Sequence, residues 1–151
     1  MKKILSFGLV ICLSIFFQTA FILVESIETP QKVVTAFCKS FYQLDDSAID
    51  YLTENAYMAD DINMIKLYKE KIQKQTNACG YRMSYAKNFL FKIETHTINQ
   101  NAEEATIQLK AKKTAIIPWL RYRKLTPIDH TFRLVKENGH WKINSSIDQL
   151  L

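Results

Sequence analysis

Glycine and proline are scarce, with three of each in 151 residues. A chain so poor in both is neither a disordered linker nor a low-complexity array. No internal repeat and no Ser- or Gly-rich stretch divides it. The sequence has no Gly-rich phosphate loop, no nucleophile elbow and no metal-ligand signature. Cysteine is limited to Cys12, Cys38 and Cys79, and histidine to His96, His130 and His140. Two cysteines without a His or Cys at ligand spacing do not make a zinc site. These absences remove every reading in which a short motif carries the chemistry. What remains is one domain's length, with 48% hydrophobic residues to build a core.

The charge balance is mildly basic, 20 Lys and Arg against 15 Asp and Glu. A bias of this size fits a solvated surface and is weak as a mark of a polyanionic partner. Its distribution says more. Lys2 and Lys3 precede a run from Ile4 to Val24 that carries no charge. Such a run is a secretory signal or a single membrane anchor, since about 20 apolar residues span a bilayer. The lysines hold their end in the cytoplasm. Residues 27–151 are then exported, to a periplasm or to the outward side of the inner membrane. Val24-Glu25-Ser26 offers a cleavage site, so residues 1–26 read as either a signal peptide or an anchor. Ile11 before Cys12 is too large for the usual lipoprotein pattern. In an oxidising compartment Cys38 and Cys79 are candidates for a disulfide. Closing that loop of about 40 residues would stabilise by about 4 kcal/mol. Two free thiols are the alternative.

Thr29-Pro30 opens the first exported helix, with Thr as N-cap and Pro at the first helical position. Val33, Val34, Phe37, Phe41 and Leu44 give it one apolar face. Asp45-Asp46-Ser47 breaks it and starts a short second helix, Ser47 to Leu52. Asp60-Asp61 are expected to cap a third, with Ile62, Ile65, Tyr68 and Ile72 as its buried stripe. Asn77 to Gly80 end it. Beyond Gly80 the period becomes two. Phe89, Phe91 and Ile93 are expected to face inward, as are Ile107, Leu109 and Ala111. Asn138-Gly139 marks a two-residue hairpin turn. It places Glu137 opposite His140 and Leu134 opposite Ile143. Phe132, Leu134, Trp141 and Ile143 then share one buried face, and one phase fits both strands.

Three N-terminal helices packed on a curved antiparallel sheet make an α+β fold. Two stretches carry a family resemblance. They are Thr29-Pro30-Gln31-Lys32-Val33-Val34-Thr35-Ala36-Phe37 and the run from Phe132 to Ile143, FRLVKENGHWKI. The segment resembles the nuclear transport factor 2-like, or cystatin-like, superfamily, and within it small bacterial exported proteins of unknown function. That resemblance implies a cone, with the sheet wrapped around the first helix and an apolar cavity at its open end. The superfamily hosts enzymes, transport adaptors and secretion-assembly parts, so fold does not select among them.

The cavity candidates are Phe41, Tyr51, Phe132 and Trp141. His130 is the one titratable residue on the hairpin's inward register and the weak candidate for a catalytic acid–base. Asp129 points to the opposite face and does not orient it. His96 reads as a surface residue. Asp45-Asp46 read as helix termination. From Lys110 to Lys124, basic residues interleave with aromatics, and Trp119, Arg121, Tyr122 and Arg123 form a candidate partner or membrane surface. Nucleic acid is set aside for an exported chain. The reading is a non-enzymatic binding or assembly module. It would hold a small apolar ligand in the cone or dock a protein partner, with membrane contact through 1–26 and 113–124. No cofactor or metal is implied, and a homodimer through the sheet is one further arrangement. The competing readings are a small enzyme using His130 and an inner-membrane component of a secretion assembly.

Overall fold

A computed structural model of the chain describes residues 28–115, 125–147 and Leu150. Over these the fold is α+β, helices followed by a curved antiparallel sheet. The apolar run 4–24 and the segment 116–124 lie outside the described residues. Among those described, no helix is long and apolar enough to cross a membrane.

Helix α1, Pro30–Tyr42, begins as the sequence predicts. The Thr29 hydroxyl accepts from the Lys32 N–H, and Pro30 takes a position whose N–H would lack a partner anyway. Its buried face is Val33, Val34, Phe37, Cys38 and Phe41. Leu44 turns left-handed at φ 58°, and Asp45 accepts from the Ser47 N–H to start a 3-10 helix, Asp46–Tyr51. Leu52 then forms a parallel bridge with Ile143, and the Thr53 N–H donates to the Ile143 carbonyl at 2.9 Å. These bonds tie the helical half of the chain to the last strand.

Next come helix α2, Glu54–Tyr57, and two short paired strands, β1 (Met58–Ala59) and β2 (Ile62–Asn63). Asp60 and Asp61 form the turn between them, at φ 49° and 60°. The expected helix cap at these residues is therefore corrected. Two successive left-handed residues make a tight hairpin, and Asp tolerates that conformation better than most side chains. Helix α3, Met64–Ala78, starts later, with the Asn63 side chain accepting from the Lys66 N–H. Ile62 is left 50% exposed, outside the stripe assigned to it. Within α3 only Ile65 is buried. Gly80, at φ 72°, stops the chain from continuing as helix. A second 3-10 helix, Met83–Ala86, leads into the sheet.

The sheet has strands β3 (Asn88–Gln100), β4 (Glu104–Ala115), β5 (Thr126–Glu137) and β6 (His140–Ile143), paired in that order. The β5–β6 register pairs Leu134 with Ile143 and Glu137 with His140, as the Asn-Gly turn predicts. Ile107, Leu109 and Ala111 of β4 face the core with Phe132, Leu134, Trp141 and Ile143. On β3 the expected alternation fails. Pairing passes from Phe91–Lys112 to Glu94–Lys110, so β3 gains one extra residue there, with Lys92 at φ 50°, and a second between Thr97 and Asn99. The first bulge exchanges the faces. Leu90 and Ile93 pack on the core, while Phe91, expected inside, is 41% exposed.

Candidate functional site

Aromatic rings pack in a row between α1, α3 and the sheet. Tyr68 of α3 stacks on Phe41 at 5.3 Å, Phe41 lies 5.7 Å from Phe37, and Phe37 meets Phe132 edge-on at 5.9 Å. Such offset and edge-on contacts suit the ring quadrupoles. Three of the four cavity candidates, Phe41, Phe132 and Trp141, are buried in the core at this packing, and Tyr51 is half-buried beside them. The structure thus brings Phe41 and Phe132 together through Phe37. Trp141 lies toward the hairpin end, with the Lys136 ammonium 5.7 Å from its ring.

His130 occupies an inward position opposite Leu109 and is half-buried, its ring 6.4 Å from that of Phe132. Desolvation lowers its pKa, and the nearby Lys113 lowers it further. Asp129, on the outer face, raises it by less than either of these lowers it. There Asp129 accepts from Gln108 at 2.7 Å and lies 3.9 Å from Lys110. Among the described residues no carboxylate hydrogen-bonds to His130. His96 is exposed, as expected. His140, in the hairpin turn, contacts Glu28 at 2.9 Å.

Asp45 and Asp46 serve local structure. The backbone N–H of Ser47 holds Asp45 below the usual carboxylate range, and Asp46 pairs with Lys69 at 2.5 Å. The Cys38–Cys79 bridge expected as one of two alternatives is corrected: both thiols are free. Cys38 is buried within α1, where desolvation pushes its pKa up strongly, while Cys79 is exposed at the end of α3. The elements simply carry the two sulfurs into different environments. Trp119, Arg121, Tyr122 and Arg123 lie outside the described residues. Among the described residues no three His, Cys, Asp or Glu side chains gather as metal ligands.

A cleft that sequence reasoning missed opens on the helical side. Its volume is about 410 Å³, and the 3-10 helices and α3 form its walls. Ile49, Ile65 and Met83 supply apolar surface, and Asp46, Lys69 and Asn63 supply polar rim. The lining comes from four separate elements with no common spacing. The only sequence signal was the amphipathic stripe of α3, which reads equally as core. A shallower groove of about 370 Å³ runs between α1 and β3 past Thr35, Lys39 and Thr95, and the Gln31 amide donates to the Thr97 hydroxyl at 2.6 Å nearby. No protein-family model matches the chain, and no curated protein matches its sequence.

Proposed function

We propose that the chain is an exported binding or assembly module of the nuclear transport factor 2-like type, delivered or anchored by residues 1–26. It takes up a small apolar ligand, or an apolar side chain of a partner, without transforming it. The observation that carries this reading is the cleft between the 3-10 helices and α3. Its volume of about 410 Å³ lies within the size range of small-molecule sites. Ile49, Ile65 and Met83 offer surface that gains from leaving water. At the rim the Asp46–Lys69 pair already satisfies its own charges, so an entering apolar group strands neither of them.

The test uses full-length protein in lipid nanodiscs, labelled with ¹³C at the methionine methyl groups. Titration with indole, a neutral and soluble apolar probe, should move the Met83 resonance saturably. Ile49→Lys should abolish that movement while the remaining methyl signals keep their dispersion. A Met83 shift that grows linearly without saturation, or is unchanged by Ile49→Lys, would refute the reading.

A further inference from the structure

The inward row of β4 is apolar at Ala105, Ile107, Leu109 and Ala111, then ends in a cation, Lys113. Lys113 pairs with Leu90 of β3 on one side and Thr126 of β5 on the other, so its side chain starts from the core face. It is half-buried, and its ammonium lies 5.0 Å from the centre of the Tyr42 ring. Tyr42 is itself buried, at 5% exposure. Among the described residues no carboxylate forms an ion pair with Lys113. A ring face compensates a cation leaving water only in part.

Among the neighbouring elements, the negative charge that acts on His130 is Asp129, whose effect is smaller than that of Lys113. Tyr42 meets the ammonium from α1, and His130 of β5 lies within range of its charge. Asp129, next to His130 in sequence, is directed outward to Gln108 and Lys110. Leu90 lies opposite Lys113, and buried Ile128 is the next inward residue of β5 after its other partner, Thr126. The result is a half-buried ammonium over a buried tyrosine ring, on the same inner face of the sheet as the His130 imidazole.

We propose that Lys113, His130 and Tyr42 receive the carboxylate of a small ligand whose remaining body is apolar. The carboxylate pairs with the ammonium, takes an N–H or O–H donor from His130 or Tyr42, and leaves its hydrocarbon part against Leu90 and Ile128. This site is on the inner face of the sheet. It is separate from the cleft beside α3 and does not depend on how that cleft is used. Lys113 lowers the His130 pKa, and an anion placed between them would reverse that effect.

Three histidines make the test legible. With ¹³C at the imidazole carbons of full-length protein in nanodiscs, His96, His130 and His140 give three signals. Benzoate should shift the His130 signal saturably and raise its apparent pKa by about one unit, leaving His96 and His140 in place. Benzamide, neutral and of the same shape, should do neither. Lys113→Met should weaken benzoate at least tenfold, and Lys113→Arg should keep most of the binding. Equal effects of benzoate and benzamide would overturn the proposal, as would Lys113→Met binding benzoate like the unaltered protein. Inorganic phosphate binding as tightly as benzoate would overturn the apolar half of it. Were Lys113→Met to unfold, the benzoate–benzamide comparison on unaltered protein decides alone.

Discussion

Ile143→Ala should be among the most damaging single substitutions in this chain. Ile143 is fully buried, paired with Leu134 and bridged to Leu52, and its carbonyl accepts from the Thr53 N–H. Those backbone bonds survive the substitution and hold the surrounding walls apart. The site therefore collapses little, and a cavity remains. Ile→Ala changes cost about 2–5 kcal/mol, with the upper part reserved for sites that cannot relax. We expect about 3 kcal/mol, which for a domain of this size lowers the melting midpoint by roughly 10 °C. Lys142→Ala is the matched control. Its side chain points the other way and donates to the Asp50 carbonyl at an exposed position, so the loss should stay within about 0.5 kcal/mol. Urea unfolding followed by tryptophan fluorescence measures both. Similar losses for the two, or a larger one for Lys142, would refute the reasoning. Either would mean a one-residue slip that turns the β6 side chains over.

Other expectations follow from the same geometry. Gly139→Ala should cost about 1–2 kcal/mol by conformation alone, because a Cβ there meets no atom within 4 Å and φ is +86°; an unchanged urea midpoint would count against the turn. In a Cys12→Ser background, a thiol reagent should modify Cys79 in the native state and Cys38 only on unfolding, whereas a Cys38–Cys79 disulfide found by non-reducing mass spectrometry would contradict the two separate environments. The fold favours neutral His130, whose pKa is lowered. Below the unfolded value of about 6.5 the unfolded chain binds that proton more readily, so stability is intact above it and lost as pH falls from there through the folded pKa. His130→Gln should flatten this part of the stability–pH profile, and an unchanged profile would show that the environment of His130 is not desolvated.

Where local chemistry and tertiary packing demanded the same thing, the sequence was readable. Thr29-Pro30 has one good use, and so does Asn138-Gly139 between two strands of matching phase; both predicted the observed geometry. Asp60-Asp61 misled because acidic residues suit a helix start and a left-handed turn alike. Only the pairing of Met58–Ala59 with Ile62–Asn63 decides between them. Phe91 misled because a strict period of two cannot register an inserted residue. Lys92 carries no signal that it will adopt positive φ, and one bulge was enough to reverse which aromatic faces water. The thiols stayed open between a bridge and two free groups because loop length says how much a bridge would stabilise, not whether two side chains meet. The cleft was invisible for a related reason. Asp46, Ile49, Asn63, Ile65 and Met83 become neighbours only after α3 has docked.

Helix α3 carries one consequence further. It has 15 residues, yet Ile65 near its start is the only one fully buried. Its last turns rely largely on their own bonds, such as the Thr76 hydroxyl to the Ile72 carbonyl and the Gln73 amide to Asn77. Segments with few buried apolar contacts open below the global unfolding free energy. Amide exchange should therefore run faster through residues 70–78 than through β4 and β5, and the C-terminal part of the helix should come away as a cooperative unit while the sheet stays closed. One wall of the cleft is then a population of positions, and whatever enters it selects among them.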